Sequence, residues 1–421
     1  MKQHWKQIWI LAAALALLAG CGNAKQEESL SAASAPNPSA WGMAPAQQES
    51  EASSQSAAER EASQVETPAP TETPEPLAAS LGQVLPTGPE ILAEGENLTS
   101  LSLDNTTYVN LTNLNTVYPW LSPSVGEAEA TLTDRDGNPV IIPLVATDGA
   151  AAPQVPEGAG IHFLGVQEEV WLPVRTLAEK LGLTLLWDQE RQTVYLSLGP
   201  RARDVASGRQ VPVVMYHEVG DDTWGVRELF VSPGSLRQQL EYLRDSGYEP
   251  IFFSDLTHLE DYDKPVLLTF DDGYTGIYTE LLPLLQEFQM KATVFVITGM
   301  LEWPNYLTAA QVKELSDSGL VDIQSHTVTH PELTALSQEE QDQELRQSRL
   351  DLARITGKIP YVISYPTGLH NDTTLALCGE YYAFGVQMNG GLWTTGGSYD
   401  EIPRIYVSRD TSLDSFRSML G

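Results

Sequence analysis

Basic residues are scarce: 24 Lys and Arg stand against 56 Asp and Glu in 421 residues, a formal net charge of −32. Phosphate binding needs clustered basic side chains, so this balance argues against nucleic acid and anionic membrane surfaces as partners. Cysteine is scarcer, with only Cys21 and Cys378, and a disulfide framework is excluded as the source of stability. Seven histidines are few enough that any clustering among them is informative. The N-terminal apolar run, Ile8 to Leu18, falls short of the roughly 20 residues that span a bilayer. What is present is an apolar fraction of 42%, enough for globular cores, in a chain long enough for two or three domains.

Residues 1–20 read as a targeting segment. Lys2 and Lys6 precede the apolar run, which ends in Leu18-Ala19-Gly20-Cys21. A charged start, a short apolar core and small residues before a cleavage point are the marks of a secretory signal. The last four residues resemble a bacterial lipobox. The resemblance implies that Cys21 carries diacylglycerol and becomes the mature N-terminus. The other reading is an uncleaved anchor helix. Both place the remainder outside the cytoplasm, and the first makes it a lipoprotein held to the bacterial cell membrane through its lipid alone.

Residues 21–85 are Ser, Ala, Glu, Gln and Pro, closing in the Pro-rich run Glu66 to Pro76. Such a stretch buries too little apolar surface to offset its conformational entropy, and its prolines extend it. It reads as a disordered tether. Residues 86–200 look compact. Tyr108 to Leu111 and Val140 to Leu144 read as strands, with Asp136-Gly137-Asn138 as a hairpin turn. Leu177 and Leu181 share a helix face that Gly182 stops. Leu183–Trp187 and Thr193–Leu198 flank Asp188 to Arg191 as strand, turn and strand. The stretch from Leu172 to Leu196 resembles the small α+β domain found at the N-terminus of copper amine oxidases. His162 is a single imidazole and makes no copper site, so a spacer or wall-binding role is the expectation.

From 201 to 421 strands alternate with helices. Val211 to Met215, Val266 to Phe270, Thr293 to Ile297 and Val321 to Gln324 read as strands. Leu236, Leu240 and Leu243, then 281–288 and 309–318, read as helices. This alternation predicts an α/β fold with a parallel sheet, a barrel whose C-terminal strand ends carry the functional groups. Two strand ends carry chemistry. One runs into Asp271-Asp272-Gly273 and the other into His326-Thr327-Val328-Thr329-His330. Alone, each is a weak signal. Together they offer two imidazoles and a carboxylate for one divalent metal, with a spare carboxylate alongside and coordination positions left for water and substrate.

In order, Thr269-Phe270-Asp271-Asp272-Gly273-Tyr274, Ser325 to Pro331 and Ser364-Tyr365-Pro366-Thr367-Gly368 resemble the motifs of the polysaccharide deacetylases, the NodB-homology domains of carbohydrate esterase family 4. The similarity covers roughly 211–407. It implies a distorted (β/α) barrel that removes acetyl groups from N-acetylglucosamine polymers, or O-acetyl groups from xylan. Residue by residue, it implies Asp271 as catalytic base, Asp272, His326 and His330 as metal ligands, and the Thr367 backbone N–H as oxyanion donor. Zn²⁺ is the default ion for this donor set, with Co²⁺, Ni²⁺ or Fe²⁺ as alternatives.

Two departures stand out. The third motif has no arginine before its proline, and Arg404 is the candidate to orient Asp271; the alternative is a surface arginine. The family's late histidine, its general acid, is absent, because no histidine follows His370. His217, directly after the first barrel strand, is the candidate donor, with a pKa expected near 6.5; His370 is second, and His258 reads as a loop residue. Cys378 reads as a buried small hydrophobe and Glu339 to Glu344 as a solvated helix face. Trp303 and Trp393 read as core residues, with sugar stacking as the alternative. Three functions follow: an N-deacetylase on a cell-surface polymer such as peptidoglycan or poly-N-acetylglucosamine, an O-acetyl esterase, or a weakened polysaccharide-binding protein.

Overall fold

The computed structural model describes residues 86–164 and 169–421. The targeting segment, Cys21 and the tether lie outside the described residues. Among the described residues no helix is long and apolar enough to cross a membrane.

Residues 86–200 form two mixed β-sheets and two short helices, Leu111–Val117 and Val174–Leu181. The helix at Val174–Leu181 buries Leu177 and Leu181 and ends at Gly182 with φ +69°. The hairpin at Asp136 to Asn138 forms as expected: the Asp134 carboxylate accepts from the Asp136 and Asn138 N–H groups and turns the chain between antiparallel strands. Leu111 differs from expectation. It starts a helix rather than ending a strand, because the Asn110 side chain accepts from Thr112 and Asn113 N–H and caps the helix there.

Residues 201–421 carry a curled, wholly parallel sheet. Its strands are β1 (Val213–Tyr216), β2 (Glu249–Ile251), β3 (Pro265–Phe270), β4 (Ala292–Val296), β5 (Val321–Ser325), β6 (Val362–Ser364), β7 (Phe384–Val386) and β8 (Ile405–Tyr406). The order is β7-β6-β5-β4-β3-β1-β8, with β2 also beside β3. A bridge between Val386 and Ile402 brings the segment entering β8 against β7. The fold is a distorted (β/α) barrel. Every residue of β1, β3 and β4 is buried, as expected for strands covered on both faces. Pro212 lacks an N–H and splits the expected Val211–Met215 strand, so a short Gln210–Val211 strand pairs separately with Trp393–Thr394.

The covering helices include α1 (Pro233–Asp245), α2 (Leu282–Phe288), α3 (Ala309–Asp317), α4 (Gln338–Thr356) and α5 (Asp372–Tyr381). In α1, Leu236, Leu240 and Leu243 face the core at 3.6-residue spacing, and Ser232 caps the first turn. In α4, Ser337 and Glu340 form a reciprocal capping box. Cys378 on α5 is buried beside Leu377 and Tyr382, as a small hydrophobe would be.

The two halves meet at the C-terminal end of α4. Arg354 forms a forked ion pair with the fully buried Asp188, and Arg191 donates to the Arg354 carbonyl. A Cβ on Gly357 would stand 2.6 Å from Gly95 Cα, so the backbones touch where any side chain would separate them. A cleft of about 800 Å³ lies between the halves, lined in part by Leu185, Arg201, Arg349 and Tyr361. It includes none of the residues of the site below.

Candidate active site

Four strand ends build the site. Asp271 and Asp272 follow Phe270 of β3, His326 follows Ser325 of β5, Ser364 ends β6 and His217 follows Tyr216 of β1. Parallel pairing brings these ends to one face: Asp271 N–H donates to the Tyr216 carbonyl, and His326 N–H to the Val296 carbonyl.

Asp272, His326 and His330 converge. One donor atom from each lies within 4.8 Å of the others. His326 Nε2 is 3.3 Å and His330 Nε2 3.7 Å from Asp272 Oδ1. His326 Nδ1 sits 2.7 Å from the Ser364 carbonyl, which can only accept. Nδ1 therefore carries a proton and Nε2 is the nitrogen that faces the cluster, the orientation a metal-binding histidine needs. Burial disfavours charge on Asp272, but the His326 contact and the nearby imidazoles outweigh it and hold the carboxyl below its ordinary range. Burial lowers the His330 pKa to about 4, leaving that imidazole neutral and able to donate an electron pair. Burial disfavours charge on His326, but its contact with Asp272 and the charge of Asp271 outweigh it and raise its pKa. A divalent cation of the Zn²⁺ type would take the place of the Nε2 proton, and two imidazoles with an ionised carboxylate fit such an ion.

Asp271 lies beside this cluster, with its Oδ2 3.9 Å from His326 Nε2. Arg404 is fully buried and grips it with two bonds, Nη1 to Oδ1 and Nη2 to Oδ2, both 2.7 Å. The surface alternative for Arg404 is thus wrong. Its residue precedes β8, and the guanidinium reaches Asp271 past Thr269 Oγ1 and the Gln387 carbonyl, both of which accept from it. Ser364 Oγ donates to Asp271 Oδ2 and accepts from Arg404. Burial alone would raise the Asp271 pKa, but Arg404 reverses the sign and keeps the group ionised. Sequence reading missed Ser364 as a partner, and nothing local to it signals the contact.

His217 is 7% exposed, its ring edge-on to Tyr406 at 5.9 Å. Its charge interacts with Asp272 and Asp271, and burial pulls its pKa below the expected value near 6.5. His370 instead pairs with Glu401 at 3.1 Å, and His258 is exposed at a kink within the 3-10 segment Phe253–Asp261 rather than on a loop. Thr367 has φ +59°, rare for a β-branched residue, and Asp272, Thr327 and His330 also have positive φ. Such strain persists only where surroundings enforce it, and the two β-branched cases, Thr327 and Thr367, both lie in motif loops.

Two expectations fail nearby. Glu344 is not a solvated helix residue: its carboxylate accepts from Val328 N–H, Thr329 N–H and Thr329 Oγ1, clamping the loop between the two histidines. Trp303 is 60% exposed rather than core, whereas Trp393 is buried as expected. Glu218 was also passed over. It is buried, accepts from Val219 N–H and lies against Gly276, and burial raises its pKa to about 7. A Cβ on Gly276 would collide with that carboxylate at 2.0 Å, so only glycine lets the loop after β3 close on it.

A family model for polysaccharide deacetylases matches residues 259–382. YxkH of Bacillus subtilis (strain 168), assigned to the polysaccharide deacetylases, is 30% identical over 213 residues, covering 49% of this chain and 75% of its own length. The chain belongs to the polysaccharide deacetylase family. A second relative of this deacetylase is the poly-beta-1,6-N-acetyl-D-glucosamine N-deacetylase of Escherichia coli (strain K12), 26% identical over 255 residues. That match spans 49% of this chain but only 38% of the relative. Among solved structures, a Bacillus cereus polysaccharide deacetylase aligns at a TM-score of 0.49 with 25% identity, covering 70% of this chain and 76% of that one.

Proposed function

We propose that this chain is a metal-dependent hydrolase that removes N-acetyl groups from an N-acetylglucosamine polymer of the cell envelope, peptidoglycan or poly-N-acetylglucosamine. The observation that carries the reading is the convergence of Asp272, His326 and His330 beside the Arg404-bound Asp271. The substrate named for the Escherichia coli relative supports the choice of polymer. Asp272, His326 and His330 would hold the ion, Zn²⁺ by donor type, with Co²⁺, Ni²⁺ or Fe²⁺ as alternatives. When bound, it would acidify a water and polarise the acetamide carbonyl.

The protein's own groups supply the rest. Asp271, kept ionised by Arg404, accepts the proton of the attacking water; Arg404 and Ser364 fix the carboxylate so that it cannot rotate away. The Thr367 N–H, held by its strained φ, is the donor assigned to the oxyanion. His217 protonates the departing glucosamine nitrogen. Residues 86–200, which resemble the copper amine oxidase N-terminal domain, act as a spacer or wall-binding module. The lipidated Cys21 and the tether place the catalytic domain outside the cytoplasm.

Acetate release from peptidoglycan, poly-β-1,6-N-acetylglucosamine and chitin oligomers, beside an O-acetylated xylan, tests the reading. Release from an amide substrate is expected. Release from the ester alone would make the protein an O-acetyl esterase, and glycan binding without release from either would make it a binding protein.

A further inference from the structure

An aromatic wall with Trp224 as its exposed face stands next to the cluster of Asp272, His326 and His330, built by the loops after three neighbouring strands. Trp224 comes from the loop after β1, Tyr274 from the one after β3 and Tyr306 from the one after β4. Trp224 is 46% exposed, yet packs edge-on to Tyr274 at 5.1 Å and Phe230 at 5.3 Å, with Tyr306 at 6.3 Å. Tyr274 and Tyr306 are 5.0 Å apart. The wall is held rigid by its backbone. Thr275 N–H donates to the Asn305 carbonyl and Leu307 N–H to that of Gly273, so the loops after β3 and β4 are sewn together. The wall adjoins the reaction centre, since Tyr274 lies two residues after Asp272 in the same loop.

We propose that Trp224, backed by Tyr274 and Tyr306, is a sugar-stacking subsite for the pyranose next to the one being deacetylated. This rests on the deacetylase reading above. A polymer bound with one acetamide at the metal cluster must continue across the adjoining surface, and the wall is continuous with that cluster. Pyranose rings present faces of C–H bonds, which pack on aromatic rings, while their hydroxyls stay in water. A large aromatic group held in place by three others while nearly half exposed gives such a face a preformed partner, and preformed partners lose little entropy on binding. Charge narrows the occupant. Asp221, Asp222 and Glu302 are exposed in the same loops and would repel an anionic polymer. The sugar is therefore neutral or cationic, an N-acetylglucosamine or its deacetylated product.

The test is kcat/KM for acetate release from N-acetylglucosamine oligomers, from the disaccharide to the hexasaccharide. The proteins compared are wild type, Trp224→Ala, Trp224→Phe and the control Trp187→Ala, an exposed tryptophan in residues 86–200. Wild type should gain efficiency with length. Trp224→Ala should lose about 5- to 10-fold on the hexasaccharide, through KM, and much less on an aryl acetate; Trp224→Phe should recover most of the loss. The control should keep the wild-type length dependence. Unaltered length dependence in Trp224→Ala would overturn the proposal. If wild type releases acetate from no oligomer, the deacetylase reading fails instead. Oligomer affinity, read by intrinsic fluorescence, then decides the subsite: weaker binding in Trp224→Ala upholds it, and equal binding refutes it.

Discussion

Asp271 and Arg404 make the site's tightest coupling, a buried carboxylate whose two oxygens are both held by one guanidinium. Asp271→Asn removes the proton acceptor and should lower kcat at least about 10²-fold. It also strands a fully buried arginine, so the variant should unfold at a lower temperature than wild type. Near-normal turnover would reduce Asp271 to a structural residue. For His217, burial favours the neutral ring, so its acid form is available at lower pH than that of an unperturbed imidazole. His217→Ala should cost about 10²-fold in kcat on amides, which need a protonated leaving group, and less on activated aryl acetates. Equal losses on both substrates would mean that His217 only positions the site. The cluster of Asp272, His326 and His330 is legible in the sequence because its three residues lie in two short motifs, each directly following a strand. Ser364 and the docking of Arg404 are not, since Arg404 meets Asp271 across 133 residues and only the barrel's closure brings them together.

At the scale of elements, α4 does more than cover the sheet. Glu344 projects from it to fix three donors of the loop carrying His326 and His330. Removing groups that orient metal ligands commonly weakens metal binding 10- to 100-fold. Glu344→Ala should therefore raise the metal dissociation constant by about that factor while α4 stays folded, because Ser337 and Glu340 cap it independently. An unchanged constant, measured by competition with a chelator, would contradict the clamp. The helix itself is readable from its caps and from Leu345 and Leu352 in the core. The clamp is not, because Glu344 sits in an acidic run with nothing to distinguish it from its solvated neighbours Glu339 and Glu340. Four barrel strands, β1, β3, β4 and β5, are readable from their sequence runs, whereas β2, β6, β7 and β8 span only two or three residues and leave no such run. Pro212 shows a further limit, since the apolar run crosses it but the missing N–H ends the pairing there.

Across the whole molecule, residues 86–200 are joined to the barrel by Asp188 and Arg354. The Arg354 bond pulls the Asp188 pKa down to about 2, from an ordinary value near 3.9. A lowered carboxyl pKa stabilises the folded state fully above about pH 4, and that share is lost as pH falls toward 2. Asp188→Asn should therefore destabilise by about 2–3 kcal/mol at pH 7, read as a lower urea midpoint, with the difference from wild type shrinking below pH 4. A pH-independent difference would place the effect elsewhere. The proposed function requires one divalent ion at Asp272, His326 and His330 for acetate release from an N-acetylglucosamine polymer. Metal content and acetate release, measured together on purified wild type, Asp272→Ala and His330→Ala, test it most directly. Wild type should hold a divalent ion and lose activity to a chelator, with both restored by added metal, while both variants hold less metal and release no acetate. Equal metal content in wild type and His330→Ala, or acetate release that survives complete metal removal, would contradict it.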